Sequence, residues 1–167
     1  MNKKYIISFA FLGMMTLLSS CFEDMAIRFD KPAVVEFESA VRTAPAAGAI
    51  FPIIATNRSA GSLPLQINLV GTQLKAAQEM TVTVDTAISR FLNATTIRAV
   101  EGTHFSLNGG KVVMKADTSF AVYRFNIQQV TPVSGRSALV VLKLEDGGAA
   151  LKASENYRRV GYRIALQ

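Results

Sequence analysis

The chain has 167 residues, half of them hydrophobic, with 18 Lys and Arg, 12 Asp and Glu, one His, one Cys, no Trp and a formal net charge of +6. A single cysteine excludes an intrachain disulfide, so stability must come from an apolar core. Two of the basic residues fall in the first 20 positions, leaving 16 basic against 12 acidic groups beyond them; that mild excess is no nucleic-acid footprint.

Lys3 and Lys4 precede an uncharged run from Tyr5 to Leu18, which ends in Leu18-Ser19-Ser20-Cys21. A basic start, an apolar middle and small residues at a cut site make up a secretory signal. The run is about 14 residues, short of the roughly 20 a membrane-spanning helix needs. Its ending resembles the Leu-x-small-Cys box of bacterial lipoproteins. That resemblance implies cleavage before Cys21, diacylglycerol (palmitate-type chains) on its thiol and a further acyl chain on the new amino terminus. At about 0.8 kcal/mol per buried methylene, two or three chains anchor a soluble domain. An ordinary secretory signal with an incidental cysteine is the alternative. Phe22-Glu23-Asp24 is similar to short acidic runs that send Bacteroidetes-type lipoproteins to the cell surface. Surface display is therefore favoured slightly over the periplasmic face of the outer membrane. Residues 1–20 are expected to be the signal, 21–32 a lipidated tether, and 33–167 one β-sandwich domain.

Beyond Pro32 the pattern has period two. Val35 and Phe37 alternate with Glu36 and Glu38, as in a half-buried strand. Residues 43–49 read as a connection. Ile50 to Thr56 is apolar but contains Pro52, which predicts an edge strand. Asn57 to Ser62 is turn chemistry. Leu65, Ile67 and Leu69 form one strand face, and Met80, Val82 and Val84 another. Between Asp85 and Thr96 a short helix over 87–92 is expected, capped by Asp85 or Thr86. A strand is expected within Ile97–Leu107, then a turn at Asn108-Gly109-Gly110. Lys111–Met114 and Ala121–Gln128 are expected to be neighbours, with Ala121, Tyr123, Phe125 and Ile127 facing the core. Ser137 to Leu144 is apolar on both faces, which predicts a central strand covered on both sides. Val160, Tyr162, Ile164 and Leu166 form the last buried face. Eight or nine short strands with regular turns argue for an all-β sandwich.

Several segments together resemble a Calx-beta-like domain, immunoglobulin-like in fold. They are Leu65-Gln66-Ile67-Asn68-Leu69-Val70-Gly71, Met80-Thr81-Val82-Thr83-Val84-Asp85, Ala99-Val100-Glu101-Gly102-Thr103-His104-Phe105 and Lys111-Val112-Val113-Met114, with Leu142-Lys143-Leu144 following in order. Glu101 to Phe105 is the distinctive piece. Some domains of this family bind calcium through clustered loop carboxylates. The acids a calcium site could draw on here are Asp85, Glu101, Asp117, Glu145 and Asp146, but they are scattered, and His104 stands where many members carry Asp. Ca²⁺ takes six to eight oxygens, so no cofactor is expected.

The chemistry-bearing residues point away from catalysis. His104 is the only histidine, Glu101 its only nearby acid, and no Gly-x-Ser-x-Gly marks a nucleophile. One imidazole is too little for a conventional soft-ligand metal site. Glu145 and Asp146 point to opposite faces if extended, unlike a glycosidase pair. Tyr123 and Tyr162 fall on apolar strand faces, leaving Tyr157, beside Arg158 and Arg159, as the plausible ligand contact. Asn93-Ala94-Thr95 is a sequon of a kind uncommon in bacteria. Asp85-Thr86-Ala87 resembles a Bacteroidetes O-glycosylation motif, which would place a glycan on Thr86. The expected function is a non-enzymatic binding or accessory module on the outer membrane, serving a polysaccharide-uptake system. The alternative is a structural subunit that pairs strands in an envelope or fimbria-like assembly. The expected partners are the membrane, through the lipid anchor, and a glycan or an envelope protein; nucleic acid is not expected.

Overall fold

The computed structural model describes residues 32–167. The signal, Cys21, the Glu23-Asp24 pair and nearly all of the tether lie outside the described residues. Eleven strands are formed: β1 (Ala33–Phe37), β2 (Ile53–Asn57), β3 (Ser62–Val70), β4 (Gln78–Val84), β5 (Thr96–Arg98), β6 (Phe105–Ser106), β7 (Lys111–Met114), β8 (Phe120–Ile127), β9 (Ser137–Leu144), β10 (Leu151–Ala153) and β11 (Arg159–Ala165). A five-residue helix, α1 (Glu38–Arg42), follows β1. One sheet runs β10-β1-β3-β8-β6 and the other β2-β11-β9-β4-β7, with β5 also paired to β9. The strand β9 is flanked by β11 along its length, and on its other edge by β5 at Ser137–Leu139 and β4 at Leu142–Leu144.

Alternation decides which face of each strand is buried. In β8, Ala121, Tyr123, Phe125 and Ile127 are buried while Phe120, Val122 and Arg124 are exposed. Phe37, Ile67, Met80, Phe105, Met114, Phe125, Leu142, Leu144, Leu151 and Ile164 are among the fully buried side chains between the sheets. Phe125 joins the two layers, with ring centroids 5.6 Å from Phe105 and 5.4 Å from Tyr162 of β11. Such aromatic contacts add to the area they bury.

A second apolar cluster lies on the outer side of β9. Phe51 and Ile88 pack with Leu139 and Val141, and Phe91 and Leu92 close over them. Phe51 meets Phe91 edge-on at 5.6 Å. This layer accounts for the double-sided hydrophobicity of β9, since Val140, Leu142 and Leu144 belong to the main core.

The expected edge strand is present: β2 pairs only with β11, and Pro52 lies just before it, its carbonyl accepting Gly161 N–H at 2.8 Å. Three expectations are corrected. The strand count is eleven, not eight or nine, because β5, β6 and β10 have two or three residues each and leave little periodicity to read. The helix expected over 87–92 is a single 3₁₀ turn, Ser89–Phe91; Asp85 Oδ1 accepts Ala87 N–H at 2.9 Å in a turn and does not cap it. The strand expected within Ile97–Leu107 is present in part, as β5 and β6 with a turn between them. Lys111–Met114 and β8 lie close but pair into different sheets, β7 with β4 and β8 with β3 and β6. The helix α1 was not legible as a helix because its five residues are too few to set a period.

The turn before β7 depends on glycine. Gly110 has φ +68°, and a Cβ there would overlap the carbonyl oxygen of Val82, which borders the main-chain bond from Val82 N to Gly110 O at 2.7 Å. Gly48 has φ +71° with nothing near a Cβ. Gly110→Ala is therefore expected to cost more than about 2 kcal/mol and Gly48→Ala about 1 kcal/mol, measured by urea unfolding. Equal costs would show that the overlap relaxes.

Candidate functional site

The residues singled out by sequence fall mainly into structural ion pairs. Arg159 Nε donates to Asp85 Oδ2 at 2.6 Å, linking the start of β11 to the end of β4. Arg158 donates from Nε and Nη2 to Leu144 O at 3.1 and 3.0 Å and reaches Glu145 Oε2 at 3.4 Å. Glu145 also takes Lys143 at 2.9 Å and the Thr83 hydroxyl at 2.8 Å, and Asp146 takes Lys152 at 3.2 Å. Asp117, at φ +53°, pairs with Lys75. Glu101 Oε1 accepts Leu107 N–H at 3.1 Å. Of the five acids, the fold brings together Glu145 and Asp146, with Arg158 beside both. Among the described residues no group of three His, Cys, Asp or Glu could hold a metal ion. Tyr157 is 40% exposed. Thr86 is exposed, and its carbonyl accepts Arg98 Nη1 at 3.0 Å.

His104 is buried behind the Glu101–Phe105 turn, and its Nδ1 accepts Val100 N–H at 3.1 Å. No hydroxyl or carboxylate hydrogen-bonds to it among the described residues, so no nucleophile–base pair is formed. Tyr123 and Tyr162 are core residues, as their strand positions predict; burial pushes both phenols up to about 12, aided for Tyr123 by the charge of Glu101. Neither is an ionisable participant near neutral pH.

A different surface combines exposed apolar and polar side chains. On the outer face of the five-stranded sheet, Phe120 is 54% and Val122 50% exposed. Phe120 stands opposite Asn68 on β3, and Asn68 stands opposite Glu36 on β1, so the three lie in one row across three strands. Val122 stands opposite Gln66 in the next row. Gln66 Nε2 donates to Asn68 Oδ1 at 2.8 Å, which orients both amides and leaves Gln66 Oε1 and Asn68 Nδ2 for another partner. Partial burial raises the carboxyl of Glu36, and no cation pairs with it among the described residues. The turn before Phe120 is held by Leu69 N–H to Ser119 O at 2.8 Å and by the Thr118 hydroxyl to Lys115 O, also at 2.8 Å. An apolar ring flanked by oriented amides and an acid can take a ligand with one apolar face and hydroxyls at its edge. Sequence reasoning used β8 only for its inward residues. The same alternation places Phe120 and Val122 outside, and that was the available signal.

No family model matches the chain, and no curated protein matches it. Solved structures do. The apo-form Calx CBD1 domain superposes with TM-score 0.52 at 13% identity, over 81% of this chain and 97% of that one. A two-domain protein of unknown function from Bacteroides fragilis NCTC 9343 superposes with TM-score 0.56 at 11% identity, over 81% of this chain. A protein of unknown function from Bacteroides ovatus gives 0.52 at 14%, over 78% of this chain. The present chain spans 46% and 43% of those two Bacteroides proteins. The fold is a Calx-beta-like sandwich, as the Glu101–Phe105 segment and the strand pattern led us to expect.

The ion pairs make a pH prediction. Burial works to raise Asp85, but the Ala87 N–H, the hydrogen bond and charge of Arg159 and the charge of Lys143 outweigh it, and the carboxyl sits below its ordinary value. Glu145 and Asp146 are also held low. A lowered folded pKa adds stability that is present above the unfolded value, about 3.9 for Asp, and is lost as pH falls through the folded one. Asp85→Asn is expected to cost about 1 kcal/mol at pH 7, and the cost is expected to shrink steadily as pH falls below about 3.9 toward the lowered folded value. Unfolding curves across that range check it, and a cost independent of pH would contradict it.

Proposed function

We propose that the chain is a non-catalytic saccharide-binding module, anchored by acyl chains on Cys21 to the outer membrane, where it serves polysaccharide uptake as an accessory protein. The supporting observation is the row Glu36–Asn68–Phe120 with Gln66 and Val122 beside it. The C–H face of a pyranose is apolar enough to lie on the Phe120 ring, while its hydroxyls reach the amides and the Glu36 carboxyl. The site is an open strand face, suited to an extended chain that passes over it. Hydrolysis would need two carboxyls across a cleft, and Asn68 and Phe120, the cross-strand partners in this row, carry none.

A glycan array followed by equilibrium binding tests the reading. The protein is expected to retain neutral glycans, and Phe120→Ala to weaken the best of them about 10-fold, or ~1.4 kcal/mol, without moving the unfolding midpoint. An empty array would count against it. Cys21→Ser is expected to move the protein from the membrane fraction to the soluble one; a variant that stays acylated and membrane-bound would defeat the anchor.

One observation favours the structural alternative. The second edge of β8 is paired only at Asn126 and Ile127, where β6 reaches it, so Phe120–Phe125 presents open main chain. A groove of about 350 Å³ lined by Val113, Lys115, Thr118, Phe120 and Val122 runs between this edge and β7. Open edges accept strands from partners. Crosslinking on intact cells that captured a partner through this edge would favour assembly, and monomeric behaviour would leave the saccharide reading alone.

A further inference from the structure

A second surface lies at the opposite end of β8. A cleft of about 550 Å³ opens beside the Glu101–Phe105 turn, with Ile97 and Leu166 at its apolar side. Its polar lining is Thr103, His104, Gln129, Thr131 and Arg136, and no Asp or Glu lines it. The end of β8 fixes the turn to the cleft, because Gln128 N–H donates to His104 O at 2.9 Å. The far wall is set by main-chain bonds from Val133 N to Leu166 O at 2.7 Å and from Leu166 N to Arg136 O at 3.0 Å.

Arg136 is the one formally charged side chain among the residues that line the cleft. The Arg136 guanidinium makes no hydrogen bond or ion pair among the described residues. Arg58 Nη1 donates to the carbonyl of the lining residue Val130 at 3.1 Å, and its buried Nε–H has no partner among the described residues. Glu101, which precedes the lining residue Gly102, does not line the cleft, and its Oε1 accepts Leu107 N–H at 3.1 Å. Since His104 Nδ1 accepts the Val100 N–H, the neutral imidazole carries its proton on Nε2, which has no hydrogen-bond partner among the described residues. An unpaired guanidinium, an imidazole N–H, two threonine hydroxyls and an amide thus meet at one concave place. The guanidinium and the imidazole N–H only donate, while the hydroxyls and the amide both donate and accept, so a ligand that brings a carboxylate together with hydroxyls complements the whole set. Guanidinium binds carboxylate in two-pronged fashion, and the volume suits a single sugar ring or two.

We propose that this cleft is a binding site for an acidic sugar, a hexuronate whose carboxylate pairs with Arg136 and whose ring hydroxyls take Thr103, Gln129, Thr131 and His104 Nε2–H. The site is separate from the Phe120 face, at the far end of the same strand, and either stands if the other fails. Calorimetry on the soluble domain with galacturonate, glucuronate, their neutral methyl esters, glucose and inorganic phosphate tests it. At least one uronate is expected to bind with a Kd below about 1 mM, and its ester at least about 10-fold more weakly. Arg136→Gln, an exposed position, is expected to weaken the uronate at least about 10-fold, while Lys75→Gln, a distant exposed charge, leaves it unchanged. No saturable binding of either uronate up to about 20 mM, an ester that binds as well as its acid, or an Arg136→Gln variant with unaltered affinity would overturn the proposal. Phosphate binding as tightly as the uronate would overturn the sugar assignment and leave a plain anion site.

Discussion

Leu139 and Val141 leave one face of β9 while Val140, Leu142 and Leu144 leave the other, and from Ala138 to Leu142 neither face meets water. A strand buried on both sides must be covered twice, and the two covers have different origins. The inner one is the opposite sheet, joined through Phe105, Phe125 and Tyr162. The outer one is irregular chain: Phe51 ahead of β2 and the Ile88–Leu92 turn between β4 and β5. That turn buries Ile88 to 1% exposure although it contains no long element. The doubly buried strand therefore dictates where the loops must lie, and the loops in turn occupy one outside face of the sandwich.

The other outside face is free of that duty. Among the described residues no second cluster lies over β3 and β8, and Phe120 and Val122 remain half exposed beside Gln66, Asn68 and Glu36. Phe120 and Val122 form an exposed apolar pair rimmed by polar groups, and patches of that kind can serve as interaction surfaces. The same sandwich can thus devote one face to its own stability and keep the other for a ligand. The end of β8 adds a third region, where the Glu101–Phe105 turn and the 128–136 segment meet around donors with no acid among them.

Much of this was legible from residue order, and the misses have physical causes. Alternation in Val35–Phe37, Leu65–Leu69, Met80–Val84 and Ala121–Ile127 named the inward faces, and the two-sided apolarity of Ser137–Leu144 marked the central strand. Pro52 marked the edge. Periodicity fails where elements are too short to repeat, as in β5, β6 and β10, and it does not say which strand pairs with which, as β7 and β8 show. The site was less legible. Arg158 and Arg159 looked free in sequence because their partners, Glu145 and Asp85, are 13 and 74 positions away. Phe120 was readable from alternation, but its row with Asn68 and Glu36 exists only through cross-strand register. The donors of the His104 cleft come from segments that no short motif connects.

The account rests on the face of β3 and β8 being kept clear for a ligand while the face of β9 is sealed. The most direct measurement is a chemical-shift titration of the isotopically labelled soluble domain with the neutral oligosaccharide it retains best. Shifts centred on Glu36, Gln66, Asn68, Phe120 and Val122, with Leu139 and Val141 unmoved, are the expected result. Saturable binding that leaves that row still and moves residues elsewhere would contradict it.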